Sequence, residues 1–325
     1  MAHLDRALRS NLKLRHLQLL VALDEFRHLG RCAEFLSVSQ PAVSRMLAEV
    51  ENMLGLALFD RSTRGTEPTA AGLPVLRFAR GVLAQYERTR DEIAAAASGA
   101  VGRVRVGAMP VAIPVLLPRA ADSLKTLSAR ATVLVEEGDL TRLLPKLRLG
   151  ELDFLVSRLE PGYAAPDLET EALYADPMRA VVAPGHPLAR KRRPGWADLA
   201  AMPCVVPPPW ASLRVKLEQQ CFRHGLQPSA DLVESSSYLT TLAFLGQRAA
   251  AGFLAESVAR HFAEAGLCHV LALDLALDVP PVGLIALRGA RLGPAAIQLM
   301  SCLRETAADR MMASRRPGKR PPRQH

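Results

Sequence analysis

Leu14, Leu17, Leu20 and Val21 recur at the spacing of one helical face and predict a first helix near the start of the chain. The segment Gly30-Arg31-Cys32-Ala33-Glu34-Phe35-Leu36 predicts a short second helix, with small residues where two helices must pack closely. Ser37-Val38 then reads as a turn, and Ser39-Gln40-Pro41-Ala42-Val43-Ser44-Arg45 as the opening of a third helix. Ser39 offers an acceptor to an orphan amide at the helix start, and Pro41 suits a first turn, where no donor is needed. Leu54-Gly55-Leu56 ends that helix at a glycine, the residue that adopts the left-handed stop most cheaply.

From Thr69 the pattern is that of one long helix. Leu76, Leu83 and Arg90 repeat every seven residues, and Ala79, Tyr86 and Ile93 form the companion row, an a/d seam with one polar interruption. Continued to Ala97, it spans roughly 40 Å at about 1.5 Å per residue. Ser98-Gly99-Ala100 breaks it. Beyond the break, short apolar strands alternate with helices. Strands are predicted at residues 101–107, 131–137, 152–156, 179–183, 204–206, 232–234, 251–254 and 281–287. Helices are predicted at 111–127 (beginning near Pro114), 140–149 and 294–308. Such alternation implies parallel sheets with crossover helices.

The third helix carries candidate chemistry. Gln40, Ser44 and Arg45 fall along one helical surface. Glutamine offers a donor and an acceptor to adenine, arginine a fork to guanine or phosphate, and serine a contact with either. The helix–turn–helix spacing fits that chemistry. Downstream, Arg61-Ser62-Thr63-Arg64-Gly65-Thr66-Glu67-Pro68-Thr69 reads as a turn bearing two arginines, as a β-wing against a DNA backbone needs.

The chain resembles the LysR-type transcriptional regulators over nearly its whole length. The residues that carry the resemblance are Ser39 to Arg45, then Leu54-Gly55-Leu56-Ala57-Leu58-Phe59-Asp60-Arg61, then Thr69-Ala70-Ala71-Gly72. Lys13-Leu14-Arg15-His16-Leu17-Gln18 is most similar to the branch that regulates sugar-uptake or aromatic-acid genes, and Cys32 stands where a second alanine is common. The resemblance implies a winged helix-turn-helix, a dimerising linker helix, and an effector domain of two doubly wound α/β subdomains like periplasmic solute-binding proteins. The expected boundaries are a flexible tail at 1–12, the DNA-binding domain at 13–68, the linker helix at 69–98 and the effector domain at 99–309. Within the last, subdomain I covers about 99–171 and 277–309, and subdomain II about 172–276. A basic disordered tail closes the chain at 310–325.

The implied function is ligand-responsive, sequence-specific regulation of transcription. Ser39, Gln40, Pro41, Ser44, Arg45, Arg61 and Arg64 are the expected DNA-binding residues, and Leu76, Leu83, Tyr86 and Ile93 the dimerisation seam. The expected partners are double-stranded DNA with two half-sites, a second copy or three further copies of the chain, RNA polymerase and a small-molecule effector. The competing reading is a solute-binding module whose first domain no longer reads DNA.

Composition adjusts this picture only slightly. The chain has 325 residues, 49% of them hydrophobic, and a formal net charge of +9. Residues 310–325 hold six Lys or Arg and no acid, so much of the positive excess is terminal and offers salt-sensitive attraction to DNA or simple solubility. No secretory signal or apolar run near 20 residues is present, so a cytoplasmic protein without a membrane span is expected. Five scattered cysteines lack metal-ligand spacing, and no metal or cofactor is expected. Cys204 and Cys221 are the pair to consider for peroxide sensing, although the helical pattern around Cys221 buries it as a small apolar group. There is no Gly-x-Ser-x-Gly elbow, phosphate loop or His-Glu-x-x-His, which argues against an enzyme.

Ligands of open α/β sheets bind at the carboxyl ends of strands, near helix amino termini. Four loops qualify, and they nominate Met109, Val111, Asp139, Trp210, Ser212, Arg214, Ser235, Ser236 and Ser237 as effector contacts. Family members often present hydroxyls to a carboxylate from the first two loops, whereas this chain has Met109-Pro110-Val111 and Asp139. Asp139 with the serine run suits a polyhydroxylated ligand such as a sugar, Arg214 keeps an organic or aromatic acid open, and Trp210 suits stacking on a ring. Each has an ordinary alternative: serines cap helices, Arg214 pairs with Glu218 one turn on, and Trp210 is core.

Overall fold

The structure, a computed structural model, describes residues 11–62, 65–98 and 102–315. Two compact units divide the chain, Met1–Gly99 with Pro145–Leu152, and Ala100–Leu144 with Asp153–His325.

In the first unit, α1 (Leu14–Phe26), α2 (Leu29–Phe35) and α3 (Gln40–Leu54) precede a hairpin of β1 (Phe59–Ser62) and β2 (Gly65–Pro68) and the long α4 (Gly72–Ser98). Leu19, Leu20, Leu23, Val43, Leu47, Val50 and Leu58 close the core. Ser37 bends the chain between α2 and α3 at φ 55°, and Gly55 stops α3 at φ 67°. Leu76 corrects the expected dimer seam. Only 4% exposed, it is part of this core, with Ala79 fully buried beside it. The opening of α4 packs along α1, so these two heptad positions already face a neighbour within the chain. Leu83 is half-buried, while Tyr86 and Ile93 are exposed.

The second unit holds two five-stranded sheets. The first, in the order β4-β3-β5-β12-β6, is built from β3 (Arg103–Ala108), β4 (Thr132–Glu137), β5 (Phe154–Arg158), β6 (Leu168–Tyr174) and β12 (Val282–Leu287). Its helices are α5 (Leu116–Leu127), α11 (Pro294–Arg315) and the opening of α6 (Leu140–Arg148), which from Pro145 on is counted with the first unit. The second, in the order β11-β7-β10-β8-β9, has β7 (Met178–Val182), β8 (Cys204–Val206), β9 (Leu232–Glu234), β10 (Ala251–Ala255) and β11 (His269–Val270). With it run α7 (Trp196–Ala200), α8 (Ser212–Arg223), α9 (Tyr238–Arg248) and α10 (Glu256–Glu264).

Parallel pairs β3–β4, β3–β5, β8–β9 and β8–β10 form the α/β cores, as the alternation predicts. The antiparallel partners β6, β7, β11 and β12 flank the two crossings between sheets, where the chain passes without a crossover helix. β6 and β11 escape the sequence reading because β6 alternates only weakly and β11 has two residues. The outgoing crossing consequently lies after Tyr174, later than residue 172. The helix expected from Val111 is also interrupted. Pro110–Ala112 forms a 3-10 turn and α5 begins at Leu116, since Pro110 and Pro114 remove two donors a continuous helix would use. The last helix runs to Arg315, so residues 310–315 are helical rather than tail, and 316–325 lie outside the described residues, as do 1–10.

Gly72 occupies the tightest junction of the first unit: a Cβ there would sit 2.1 Å from the Leu58 carbonyl oxygen. Gly72→Ala should therefore lower unfolding stability by about 1–3 kcal/mol through backbone displacement. A thermal melt checks this, and an unchanged midpoint would contradict the contact.

Candidate nucleic-acid interface and ligand cleft

Helix α3 presents the residues expected to meet DNA. The Ser39 hydroxyl accepts from the Ala42 amide at 3.4 Å, and Pro41 occupies the first turn. Gln40, Pro41 and Arg45 are exposed and Ser44 is half-buried, so the stretch forms an open polar surface backed by Val43 and Leu47 in the core. Among the described residues, Arg45 has no side-chain partner within the chain. Arg61, on the first wing strand, donates to the Ser44 hydroxyl at 3.1 Å and stands 4.0 Å from Glu51. The wing cation is thus held beside the reading surface. Arg64 lies outside the described residues.

Three anchoring residues were not anticipated from the sequence. The Glu51 Oε1 atom accepts from the amides of Leu58 (2.8 Å) and Phe59 (3.2 Å), joining the end of α3 to the start of the wing. Arg27 caps α1 in the left-handed conformation, pairs with Asp24 and Glu67, and gives its carbonyl to the Thr66 amide at 2.9 Å. His28 caps α2 by accepting from the amides of Gly30 and Arg31. Of these only His28 stands at the polar position just before a helix that a sequence can mark, and the partner is distant in the other two.

Two crossing segments join the two sheets of the second unit. At the end of β5 the buried Arg158 donates from Nη1 to the Pro280 carbonyl (2.7 Å) and from Nη2 to the Asp176 carbonyl (2.7 Å), with Met178 Sδ at 3.3 Å. One guanidinium therefore ties both crossings. Asp176 in turn accepts from the Ser257 amide at 3.0 Å, at the start of α10. Its second oxygen, the Tyr174 hydroxyl and the Ser257 hydroxyl are buried and unpaired among the described residues. Burial pushes the Tyr174 hydroxyl up to about 12, helped by Asp176. Tyr238, at the start of α9, is also raised by burial, and lies within the electrostatic reach of Arg158, Asp176, Tyr174 and Glu137.

The expected effector contacts fall into distinct groups. Val111 corrects the expectation: it is 3% exposed and packs in the core, because the 3-10 turn directs it inward. Met109 is half-buried with its amide bonded to Val156. Asp139 is exposed and caps α6, accepting from Thr141 Oγ1 and from the Arg142 amide. Ser235 and Ser237 take local capping roles, whereas Ser236 is exposed. Arg214 is committed to Glu218 (2.5 Å), Glu234 (2.9 Å) and the Pro207 carbonyl (3.3 Å), so the ordinary alternative holds for it. Ser212 donates to Glu160 at 2.9 Å, a bond from one subdomain to the other. Trp210 is 76% exposed and is not core.

A small apolar pocket lies elsewhere, inside the second subdomain between Trp196, Leu217, Phe253, Cys204 and Cys221. All five cysteines are buried and free, and burial raises every thiol, Cys204 to about 12 and Cys32 and Cys268 to about 11. Thiols so protonated at neutral pH are poor nucleophiles. Among the described residues no cluster of three metal-ligating side chains occurs, and no helix is long and apolar enough to cross a membrane.

Residues 14–73 match the family described as bacterial regulatory helix-turn-helix protein, lysR family, and residues 97–308 match the LysR substrate binding domain. The chain is 32% identical to the HTH-type transcriptional regulator GbpR of Azospirillum brasilense, across 94% of this chain and 89% of that protein. It is 29% identical to the HTH-type transcriptional regulator PcaQ of Agrobacterium fabrum, across 92% and 96%. In fold it is similar to CbnR, a LysR family transcriptional regulator, with a TM-score of 0.70 at 24% identity, covering 91% of this chain and 99% of that one. It is likewise similar to full-length CbnR complexed with its target DNA, with a TM-score of 0.68 at 24% identity, covering 91% and 100%.

His16 supplies a pH test of the first unit. It is fully buried, accepts from the Lys13 amide at 3.2 Å, and burial holds its pKa below the usual 6.5. The unfolded chain binds the proton more readily, so stability is fully present above pH 6.5 and falls as the pH drops below it. Melting curves from pH 8 to pH 5 should show this decline, with a smaller slope in His16→Gln. Equal slopes would remove His16 as its cause.

Proposed function

The chain belongs to the LysR family of transcriptional regulators, and on that premise we propose how its residues divide the work. Residues 13–68 read the operator. Gln40, Ser44 and Arg45 meet base edges or nearby phosphates from the major groove, with Ser39 and Pro41 setting the helix start. Arg61 and Arg64 hold the backbone from the wing. The observation that supports this most directly is the polar face of α3, with Arg45 lacking a side-chain partner among the described residues and with Arg61 held beside Ser44.

Helix α4 joins two copies through Leu83, Tyr86 and Ile93, whose side chains the chain itself leaves open or half open. A dimer or tetramer built this way presents two readers to two half-sites, in the cytoplasm, where the genome lies. The cleft of the second unit takes a small-molecule effector, and closure about the Arg158 tie reorients the readers and changes contact with RNA polymerase. Regulation, not catalysis, is the activity of the relatives, and no reaction is assigned here.

Footprinting on the DNA upstream of the protein's own gene, across a salt series, tests the reader. Two protected half-sites are expected, and diffuse binding erased by salt would refute it. Arg45→Ala should cost roughly 1–3 kcal/mol at one base position and relax specificity there. Arg61→Ala should weaken all sequences alike and reduce the salt slope by about 0.9. Reversed signatures would exchange the two roles.

A further inference from the structure

We propose that the end of helix α6 clamps the linker helix and that Arg80 hands its position on to the wing, which makes Arg80 a positioning residue for DNA reading. The inference rests on the assignment of α3 and the wing as the reader, and names what sets the wing in place.

Two parts of the chain that are distant in sequence meet at α4. Residues 145–152 lie in the middle of the effector-domain sequence, yet they are counted with the first unit. Helix α6 consequently opens in one unit, where Asp139 caps it, and ends in the other. Gly150 stops it at φ 75°, its own amide donating to the Leu147 carbonyl and the Glu151 amide to the Lys146 carbonyl, each at 3.0 Å. A left-handed stop of this kind is the conformation that glycine adopts most cheaply. The turn presents a carbonyl and a carboxylate to α4. Arg88 Nη2 donates to the Gly150 carbonyl at 3.3 Å, and Arg80 Nη1 stands 3.7 Å from Glu151. Gly81 approaches the same turn with its backbone: an added Cβ would lie 3.9 Å from the Leu149 carbonyl oxygen. Residues 149–151 thus meet positions 80, 81 and 88, which fall on one side of the helix within about 100° of arc.

From Arg80 the ion pairs continue without a break. Nη2 of the same guanidinium donates to Asp24 on α1 at 2.9 Å. Asp24 also meets Arg27 Nη2 at 2.8 Å, and Arg27 pairs with Glu67 on β2 while its carbonyl accepts from the Thr66 amide. Glu151, Arg80, Asp24, Arg27 and Glu67 therefore form one row of alternating charge from the end of α6 to the wing. Its centre is sheltered, with the Asp24 side chain 16% exposed and that of Arg80 29%, against 70% for Glu67. Sheltered members of a network are screened less than isolated surface pairs. Arg80 divides its fork between two carboxylates. Without the Glu151 charge, both nitrogens turn to Asp24 in competition with Arg27, and the wing loses part of its hold on α1. Displacement of α6 reaches the wing by the same exchange of partners, a coupling between its Asp139 end and the reader.

Hydrogen exchange resolved to single amides in the full-length protein tests the proposal, with neither DNA nor effector present. In Glu151→Gln the Thr66 amide should exchange roughly threefold faster than in wild type, while the Leu47 amide in the middle of α3 is unchanged. Equal acceleration at both amides marks a general loss of stability and overturns the proposal, as does an unchanged Thr66. In an Arg80→Gln background, Glu151→Gln should add nothing further at Thr66, because the route runs through that guanidinium. An undiminished effect there overturns the proposal too. If melting curves show that Arg80→Gln does not fold, Asp24→Asn supplies the same block one step on. A wrong assignment of the reader shows separately, in the footprint, since amide exchange involves no DNA.

Discussion

The backbone of Leu58 is the joint on which the DNA-reading unit depends. Its amide donates to Glu51 at the end of α3, its carbonyl accepts from the Thr69 amide at 2.9 Å, and its side chain is 1% exposed in the core. Gly72 passes so close that no Cβ fits. Reading helix, wing and linker helix are thereby pinned at a single residue. The Thr69 hydroxyl completes the junction, donating to the Ala57 carbonyl and accepting from the Gly72 amide. A motif of Thr-Ala-Ala-Gly is the local requirement of that crowding: a cap first, then a residue without a side chain at the point of contact.

Arg158 performs the corresponding task in the second unit. A buried guanidinium must be met by acceptors, and here the acceptors are carbonyls from both crossing segments. Neighbouring contacts converge on the same segments: Gln220 donates to the Ala276 carbonyl at 2.7 Å, and the Glu256 amide to the Pro177 carbonyl at 2.8 Å. Ala276 itself holds a left-handed backbone at φ 48°, stabilised by its amide bonding to Asp274. Rotation of one subdomain against the other must therefore be absorbed in two irregular crossing segments gripped from several sides. Such confinement favours discrete arrangements over continuous flexing, as a switch requires.

Periodic and capped features were the legible ones. The three reading helices, the glycine stop, the long helix and most strands follow from spacing and turn chemistry, because those depend on neighbours close in sequence. Leu76 shows where that logic stops. A heptad position is identical in pattern whether it faces a second copy or a helix of its own chain, and burial against α1 decides. Val111 fails for a related reason, since two prolines redirect its loop. Glu51, Arg27 and Arg158 act through carbonyls and amides up to 122 residues away, and no local pattern encodes those partners. The Arg214 pair one turn apart was legible, whereas its second carboxylate, Glu234, was not.

The distribution of unsatisfied groups then separates the two units chemically. In the first, Arg45 is unpartnered among the described residues, and Arg61 reaches a neutral hydroxyl with its nearest carboxylate only at 4.0 Å. Such cations are available to phosphate at little desolvation cost. In the second, Arg158 and Arg214 are paired at short range, and Asp176 keeps a buried oxygen without a partner among the described residues. The net charge of +9 therefore describes neither recognition surface. A polyanion finds exposed counter-charges on α3 and the wing.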